Sequence, residues 1–418
     1  MQFGGRSSLI RKSRFFIAPV CNCLGRLSGP ADTSSPDTPL KCWLSEAGRV
    51  PQQEDNRRAS LRLCGRNLNF RWDSFNGAST IRHRAAGRDE IIRCYSCWHM
   101  KTLNERFSAL SMRRRYEVWF LRVGLTDGGG AWWLRYLLMN PGRGGCAGDP
   151  LGQPVQVWAT WFPREGKPET WIQGFPVESL DVGGAGLSKR GARPFFLEVG
   201  ESRIGEDACR GRIEVGGQRV SWDLRYRSSF RAELSSKGWI GFSRTPHSDA
   251  VFSGEIALND RVFRGEPLGF GMQGHNCGYR HRHFWTWTHV YFHGARGRGS
   301  TFEALVYEMP FGMMFRKAVL WHGGEKYTFR KFSESERDSR QLSWKLECTD
   351  ARGVRVEVRV SGRGRFVHRL PYVKTDCSGR FEVANDSLAL ARMVVRLPGR
   401  AAEELTTDSG AVLEMVGS

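Results

Sequence analysis

The sequence predicts an all-β protein, and three observations carry that reading. From Tyr116 onward, short segments rich in Val, Ile, Phe, Trp and Tyr recur between Gly-rich turns, the spacing of strands in a barrel or sandwich. The segment VRVEVRV alternates cleanly, with Val354, Val356, Val358 and Val360 on one face and Arg355, Glu357 and Arg359 on the other. After residue 112 no amphipathic pattern long enough for more than about two helical turns can be read.

In chain order, residues 1–99 come first and differ from the rest. They show no sustained period and carry 16 Arg/Lys against 8 Asp/Glu, so they read as a disordered or mis-called N-terminal extension. A natural start at Met100 or Met112 is the economical expectation, and a basic tail with a partner of its own is the alternative. Arg11, Lys12 and Arg14 before FFIAPVCNCLG faintly resemble a signal or transit peptide, but Pro19 and Asn22 break the apolar stretch. A turn after Met100 leads into YEVWFLRV, AWWLRYLLM, VQVWATWF, ETWIQGF, PFFLEV, CRGRIEV and RVSWDLRYR, all read as strands. A second series opens at GEIALND and runs through TFEALVYEM and VRVEVRV to LALARMVVRL. The expected division is therefore 1–99, 100–253 and 254–418, and 40% hydrophobic content over 418 residues supplies two cores.

The net charge of +20 raises the question of nucleic acid or anionic membrane. The charge is diffuse, however, and its short clusters (Arg113 to Arg115, Arg296 with Arg298, Arg363 with Arg365) flank strands or turns. No nucleic-acid partner is expected, and at most peripheral membrane contact; oligomeric state cannot be read. No apolar run of about eighteen residues is present, so no spanning helix is expected. Eleven cysteines at irregular spacing do not form a disulfide framework. Cys94, Cys97 and His99 lack the second CxxC of a zinc site. Cys146, Cys209, Cys277, Cys348 and Cys377 read as free thiols of a cytoplasmic protein.

Chemistry concentrates in one segment. Five of the ten histidines (His275, His281, His283, His289 and His293) lie between Gly271 and Gly294. If Arg282 to Phe292 is a strand, its period of two puts His283, Trp285, Trp287, His289 and Tyr291 on one face. Such a row of polar-tipped aromatics suits a cavity wall, and it also suits plain packing between sheets. The pair His281 and His283 resembles the metal motif of cupin barrels, but the glutamate that motif needs is missing. A site of imidazoles alone is a minor alternative. No P-loop, dinucleotide glycine fingerprint, HExxH or GxSxG occurs, and no cofactor is expected.

The order Gly271-x-Gln273-Gly274-His275-Asn276-Cys277-Gly278 followed by Trp285-x-Trp287 lies between the hairpin SGEIALNDRVFRGE and the C-terminal EVANDSLALARMVV. This arrangement resembles the superfamily of tandem lipocalin-like proteins that includes tocopherol cyclases, carotenoid hydratases (hydroxyneurosporene synthases) and AttH-like proteins. The resemblance spans roughly Tyr116 to Leu397 and is strongest in the central segment. It implies two lipocalin-like antiparallel β-barrels side by side with a site for an apolar small molecule, an isoprenoid or lipid. Where that family carries His-x-Trp-Gly, this chain has Cys277 in place of the tryptophan and no acid beside it.

Hydration or cyclisation of a double bond needs a proton source and an aromatic wall for the developing cation. The expected catalytic pair is His275 as proton carrier and Asn276 as its orienting group. The expected ligand-binding residues are Trp285, Trp287, His289, Tyr291, Tyr279 and Glu303. Glu303, Glu308, Asp223 and Glu198 are the candidate acids, each with the competing expectation of a solvent-facing strand position. A non-catalytic lipid carrier and a carbohydrate-binding β-sandwich are the other readings of the same face.

Overall fold

The computed structural model divides into residues 1–98 and 99–418. It describes residues 103–104, 106, 110–183, 195–236, 241–293 and 299–417, together with the backbone of four strands before residue 95. Those strands, β1 (Arg58–Leu63), β2 (Arg66–Phe75), β3 (Ala78–Ala85) and β4 (Arg88–Cys94), pair in order as an antiparallel meander. They fall in a stretch where the sequence shows no sustained alternation. Most of the expected extension, including Cys97, His99 and the start at Met100, lies outside the described residues.

The second unit is built of strands alone apart from single 3-10 turns among its described residues. Its first sheet holds β5 (Tyr116–Leu125), β6 (Gly130–Met139), β7 (Val155–Pro163), β8 (Glu169–Phe175), β9 (Leu180–Gly183) and β10 (Phe196–Val199). It continues with β11 (Ser202–Gly205), β12 (Ala208–Val215), β13 (Gln218–Arg227), β14 (Ala232–Ser236), β15 (Gly241–Leu258) and β16 (Arg261–Gly278). The strand order is β8-β7-β6-β5-β16-β15-β13-β12-β11-β10-β9, with β14 paired to β15. The second sheet holds β17 (Trp285–Phe292), β18 (Ser300–Glu308), β19 (Met314–His322), β20 (Glu325–Phe329) and β21 (Phe332–Asp338). It is completed by β22 (Ser343–Thr349), β23 (Arg355–Ser361), β24 (His368–Val373), β25 (Arg380–Arg396) and β26 (Glu403–Val416). Its order is β20-β19-β18-β17-β26-β25-β23-β22-β21, with β24 paired to β25.

The two orders follow the same topology, except that β9 and β10 extend the first sheet and have no counterpart in the second. In each sheet the first strand pairs with the last (β5 with β16, β17 with β26), and a short strand pairs with the penultimate one. The antiparallel, lipocalin-like all-β class read from the sequence is thus the class observed. The pairing changes sheet between Gly278 and Trp285, so the hairpin β15–β16, which opens near residue 254 in the sequence reading, completes the first sheet.

Period two sorts side chains into three cores. Trp119, Leu121 and Val123 of β5, with Trp132, Leu134 and Tyr136 of β6, fill the concave side of the first sheet. Val290, Phe292, Phe302 and Ala304, with Val354, Val356, Val358 and Val360, fill that of the second. The intervening residues of the same strands, Val118, Phe120 and Trp133 from one sheet and Trp287, Leu305 and Val412 from the other, form a third core between the sheets. Burial on both faces explains why YEVWFLRV and AWWLRYLLM read as continuous apolar runs.

Polar bolts cross the same interface. Buried Arg122 of β5 donates from Nε and Nη2 to the Ser387 carbonyl of β25, at 3.1 and 2.7 Å. Arg363 pairs with buried Asp386 at 3.0 Å and donates from Nη1 to the carbonyls of Pro163 and Arg164 in the other sheet, each at 3.0 Å.

The free-thiol reading is corrected at two positions. Cys146 and Cys377, separated by 231 residues, form a disulfide that ties the loop after β6 to the loop between β24 and β25. Spacing carries no sign of a partner so distant in the chain. Cys209 and Cys348 are buried free thiols, as read, and Cys277 is buried outside any disulfide, with Arg115 Nη1 donating to its sulfur at 3.4 Å. With a disulfide present, thiol content no longer argues for a reducing compartment. Among the described residues no helix is long and apolar enough to cross a membrane.

Candidate functional site

A cavity of about 670 Å³ opens between the two sheets, on the face that neither sheet folds around. Each strand reaches it with alternate residues: Tyr116, Val118 and Phe120 from β5, Trp133 and Arg135 from β6, Trp285 and Trp287 from β17, Leu305 and Tyr307 from β18, and Glu414 from β26. The loop between β16 and β17 supplies Tyr279, Arg280, His281 and Arg282, which frame one side. The inner limit is set where Phe120 meets Trp287 edge-on at 5.8 Å.

Both indoles of the Trp-x-Trp pair donate to carboxyls, one partly buried at the cavity wall and one fully buried. Trp285 Nε1 donates to Glu414 Oε1 at 2.9 Å, and Asn385 Nδ2 approaches the other oxygen at 3.3 Å. Trp287 Nε1 donates to Glu303 Oε1 at 3.0 Å, while Thr245 Oγ1 lies 2.8 Å from both oxygens of Glu303. Burial raises the Glu303 carboxyl to about 7 against the pull of those two donors. Burial likewise raises Glu414, opposed first by the charge of Arg135 and then by Trp285 and Asn385. Two carboxyls raised by burial above the usual carboxylate range therefore stand on one sheet, and only Glu414 lines the cavity.

His281 stacks on Tyr116 at 4.2 Å with an interplanar angle of 11°, and its buried Nδ1 has no hydrogen-bond partner. Burial, with the neighbouring Arg135, pushes its imidazole down toward the neutral form. Burial also pushes the Tyr116 and Tyr372 hydroxyls up, so both remain hydrogen-bond donors.

The structure places the expected residues as follows. His275 and Asn276 are neighbours on β16 and so point to opposite faces, and the pair cannot act together. Asn276 reaches the cavity. His275 lies on the far side, wholly buried, stacked on Trp119 at 4.5 Å. Its Nδ1 donates to the Leu103 carbonyl at 2.7 Å and its Nε2 lies 2.9 Å from Glu117 Oε1. Trp285, Trp287 and Tyr279 line the cavity.

His289, Tyr291 and Glu303 share the face of Trp285 but lie past the inner limit. His289 Nε2 donates to the Ser248 carbonyl at 2.7 Å, and Tyr291 stacks on Phe270 at 5.3 Å. The expectation of a solvent-facing Glu303 is overturned, since it is 2% exposed. Asp223 is exposed, and Glu198 is partly exposed and paired with Arg203 at 2.8 Å. His283 precedes β17 and is exposed, because the strand begins at Trp285 rather than Arg282. Among the described residues no three His, Cys, Asp or Glu side chains converge as a metal site.

Sequence reasoning missed Glu414 and Arg135. Each has a signal: a single charge inside an apolar run, Glu414 in AVLEMV and Arg135 in AWWLRYLLM.

The sequence matches no protein-family model and no curated protein. Solved structures resemble it in fold. The structure of CghA with Sch210972 superposes at a TM-score of 0.53 with 10% identity, covering 73% of this chain and 88% of that one. Kievitone hydratase from Nectria haematococca reaches 0.44 at 11% identity, with coverage of 76% and 95%. A protein assigned as AttH from Nitrosomonas europaea reaches 0.41 at 11% identity, with coverage of 74% and 94%. At these identities the likeness is one of fold, and the CghA superposition is the one that carries it. The tandem lipocalin-like architecture expected from the central motif is the architecture found.

Proposed function

We propose that the cavity between the sheets binds an apolar small molecule and that Glu414 donates a proton to it. The observation that carries this reading is the Glu414 carboxyl, held by Trp285 Nε1 at 2.9 Å and raised by its surroundings, on a wall that also holds Trp285, Trp287 and Tyr116. The fold neighbour CghA is a structure solved with a small molecule, which agrees with the binding half of the reading. In the chemical step the Glu414 O–H bond breaks and a new C–H bond forms at one end of a double bond. The indole faces stabilise the positive charge left at the other end. Capture by water, or by a second double bond of the same molecule, releases a proton that returns to the Glu414 carboxylate, which completes a hydration or a cyclisation. A carrier would use the same wall without the transfer.

Binding of Nile red, a neutral apolar probe, tests the first half. Trp285→Ala and Trp287→Ala should each weaken it about tenfold or more, since truncating a central aromatic contact costs on the order of 1–3 kcal/mol. Incubation of a neutral isoprenoid in heavy water tests the second. Deuterium should enter carbon with the unaltered protein and not with Glu414→Gln, which keeps probe binding. Probe binding without deuterium incorporation would leave a carrier. Binding unchanged in both tryptophan variants would displace the site.

A further inference from the structure

The cavity contains a cation that meets no carboxylate at ion-pair distance among the described residues. Arg135 is 8% exposed and lines the cavity from β6. Its Nη1 donates to the hydroxyl of Tyr372, and its guanidinium carbon lies 4.6 Å from the ring centres of both Trp158 and Tyr372. Its Nε has no hydrogen-bond partner, and neither has Trp133 Nε1, two residues earlier on the same face. Arg363 is similarly buried and closes on Asp386 at 3.0 Å, whereas no carboxylate of the described residues lies within ion-pair distance of Arg135. Glu414 lines the same cavity and the charge of Arg135 lowers its carboxyl against the larger raising by burial, but the two do not close as an ion pair. Removing a charge from water without a partner of opposite sign is costly, and two aromatic faces offset only part of that cost. Tyr372 fixes the planar fork in one orientation, which is the arrangement suited to receiving two oxygens of an anion.

We propose that the occupant of this cavity is an apolar molecule with a single carboxylate, and that Arg135 receives that group. The inference rests on the cavity being the ligand site and adds the ligand's charge and polarity. It also gives the ligand a direction: the anion lies at Arg135 and the apolar body against Trp285, Trp287 and Glu414. Once the anion is bound, the guanidinium charge is neutralised, so a positive charge developing beside the indoles no longer meets an uncompensated cation.

The test compares cis-parinaric acid with its methyl ester, read by probe fluorescence at about pH 8, where the free acid is ionised. The acid should bind about tenfold or more tighter than the ester, because hydrogen bonds to charged groups are the stronger ones. Arg135→Met should lower acid affinity to that of the ester and leave ester affinity unchanged, while Arg135→Lys should retain part of the preference. Tyr372→Phe, which keeps the ring and removes only the hydroxyl, should reduce the preference severalfold even if Arg135→Met does not fold. Equal affinities of acid and ester on the unaltered protein would overturn the inference and leave the cavity reading intact. A preference that survives Arg135→Met would overturn it as well, since it would then arise from the diffuse positive charge of the chain. Failure of both probes to bind the unaltered protein would overturn the cavity reading, and the inference with it.

Discussion

At the residue scale, the Trp-x-Trp pair acts through its N–H groups as much as its rings, because each indole fixes one carboxyl. Glu303 makes a prediction about pH. Its carboxyl stands near 7 in the fold against 4.5 when exposed, so the folded state holds a proton in that window that the unfolded chain gives up. The stability contributed by the neutral acid is complete below about pH 4.5 and is lost as pH rises toward 7. At about 1.4 kcal/mol per pH unit, the loss is on the order of 3 kcal/mol. Urea midpoints at pH 5 and pH 8 should fall accordingly, and Glu303→Gln should remove most of that fall while Glu414 keeps its own share. Identical slopes for the two proteins would refute the assignment. This chemistry was half legible in the sequence. Glu303 and the tryptophans stood out there, but burial of the acid depends on β15 delivering Thr245 from the opposite sheet.

At the element scale, β16 is the strand on which the site turns, since it joins the two halves of the first sheet and presents Asn276 to the cavity and His275 to the core. Its glycines are placed by close approach rather than by turn geometry. A Cβ at Gly271 would lie 1.9 Å from the backbone oxygen of Arg122, an atom that cannot move without breaking the β5–β16 ladder. Gly271→Ala should therefore destabilise the protein by about 2–4 kcal/mol. Gly216→Ala, at a turn with φ +60 and nothing within 4 Å, should cost only about 1 kcal/mol. Thermal midpoints of the two variants check this, and comparable losses would mean that β16 tolerates a wider strand separation. The alternation of β17 was legible from Trp285 onward. The start of the strand was not, because Arg282 to Phe284 continue the aromatic texture without joining a ladder.

At the scale of the whole molecule, two sheets of one topology meet across a shared core and are held by Arg122, by Arg363 and by the Cys146–Cys377 disulfide. The bridge closes a loop of 231 residues, for which the chain-entropy relation gives about 5.5 kcal/mol as an upper bound. Calorimetry with a reductant, or on Cys146→Ser, should show the midpoint fall by about 5 °C or more. An unchanged midpoint would mean that the two thiols are not joined in solution. Because the bridge spans the cavity-forming interface, reduction should also weaken Nile red binding more than it weakens either sheet.

The sequence by itself determined the all-β texture from Tyr116 onward and the segment that carries the tryptophans, because strand formation there follows from alternation and turn residues that are local in the chain; the four strands before residue 95 show no such alternation and were not legible. Which residues share a face within a strand followed too for VRVEVRV and Trp285-x-Trp287, though not whether that face is buried, as Glu303 shows. The side of the sheet on which a ligand could lie did not follow. Strands such as β5 and β6 are apolar on both faces, and period two cannot say which face closes into a core and which is left hollow. That choice was made by the packing of one sheet against the other. The same packing set Arg135 beside Tyr372 and Cys146 beside Cys377, while Glu414 meets Trp285 through the pairing of β17 with β26; the members of all three pairs are far apart in the chain.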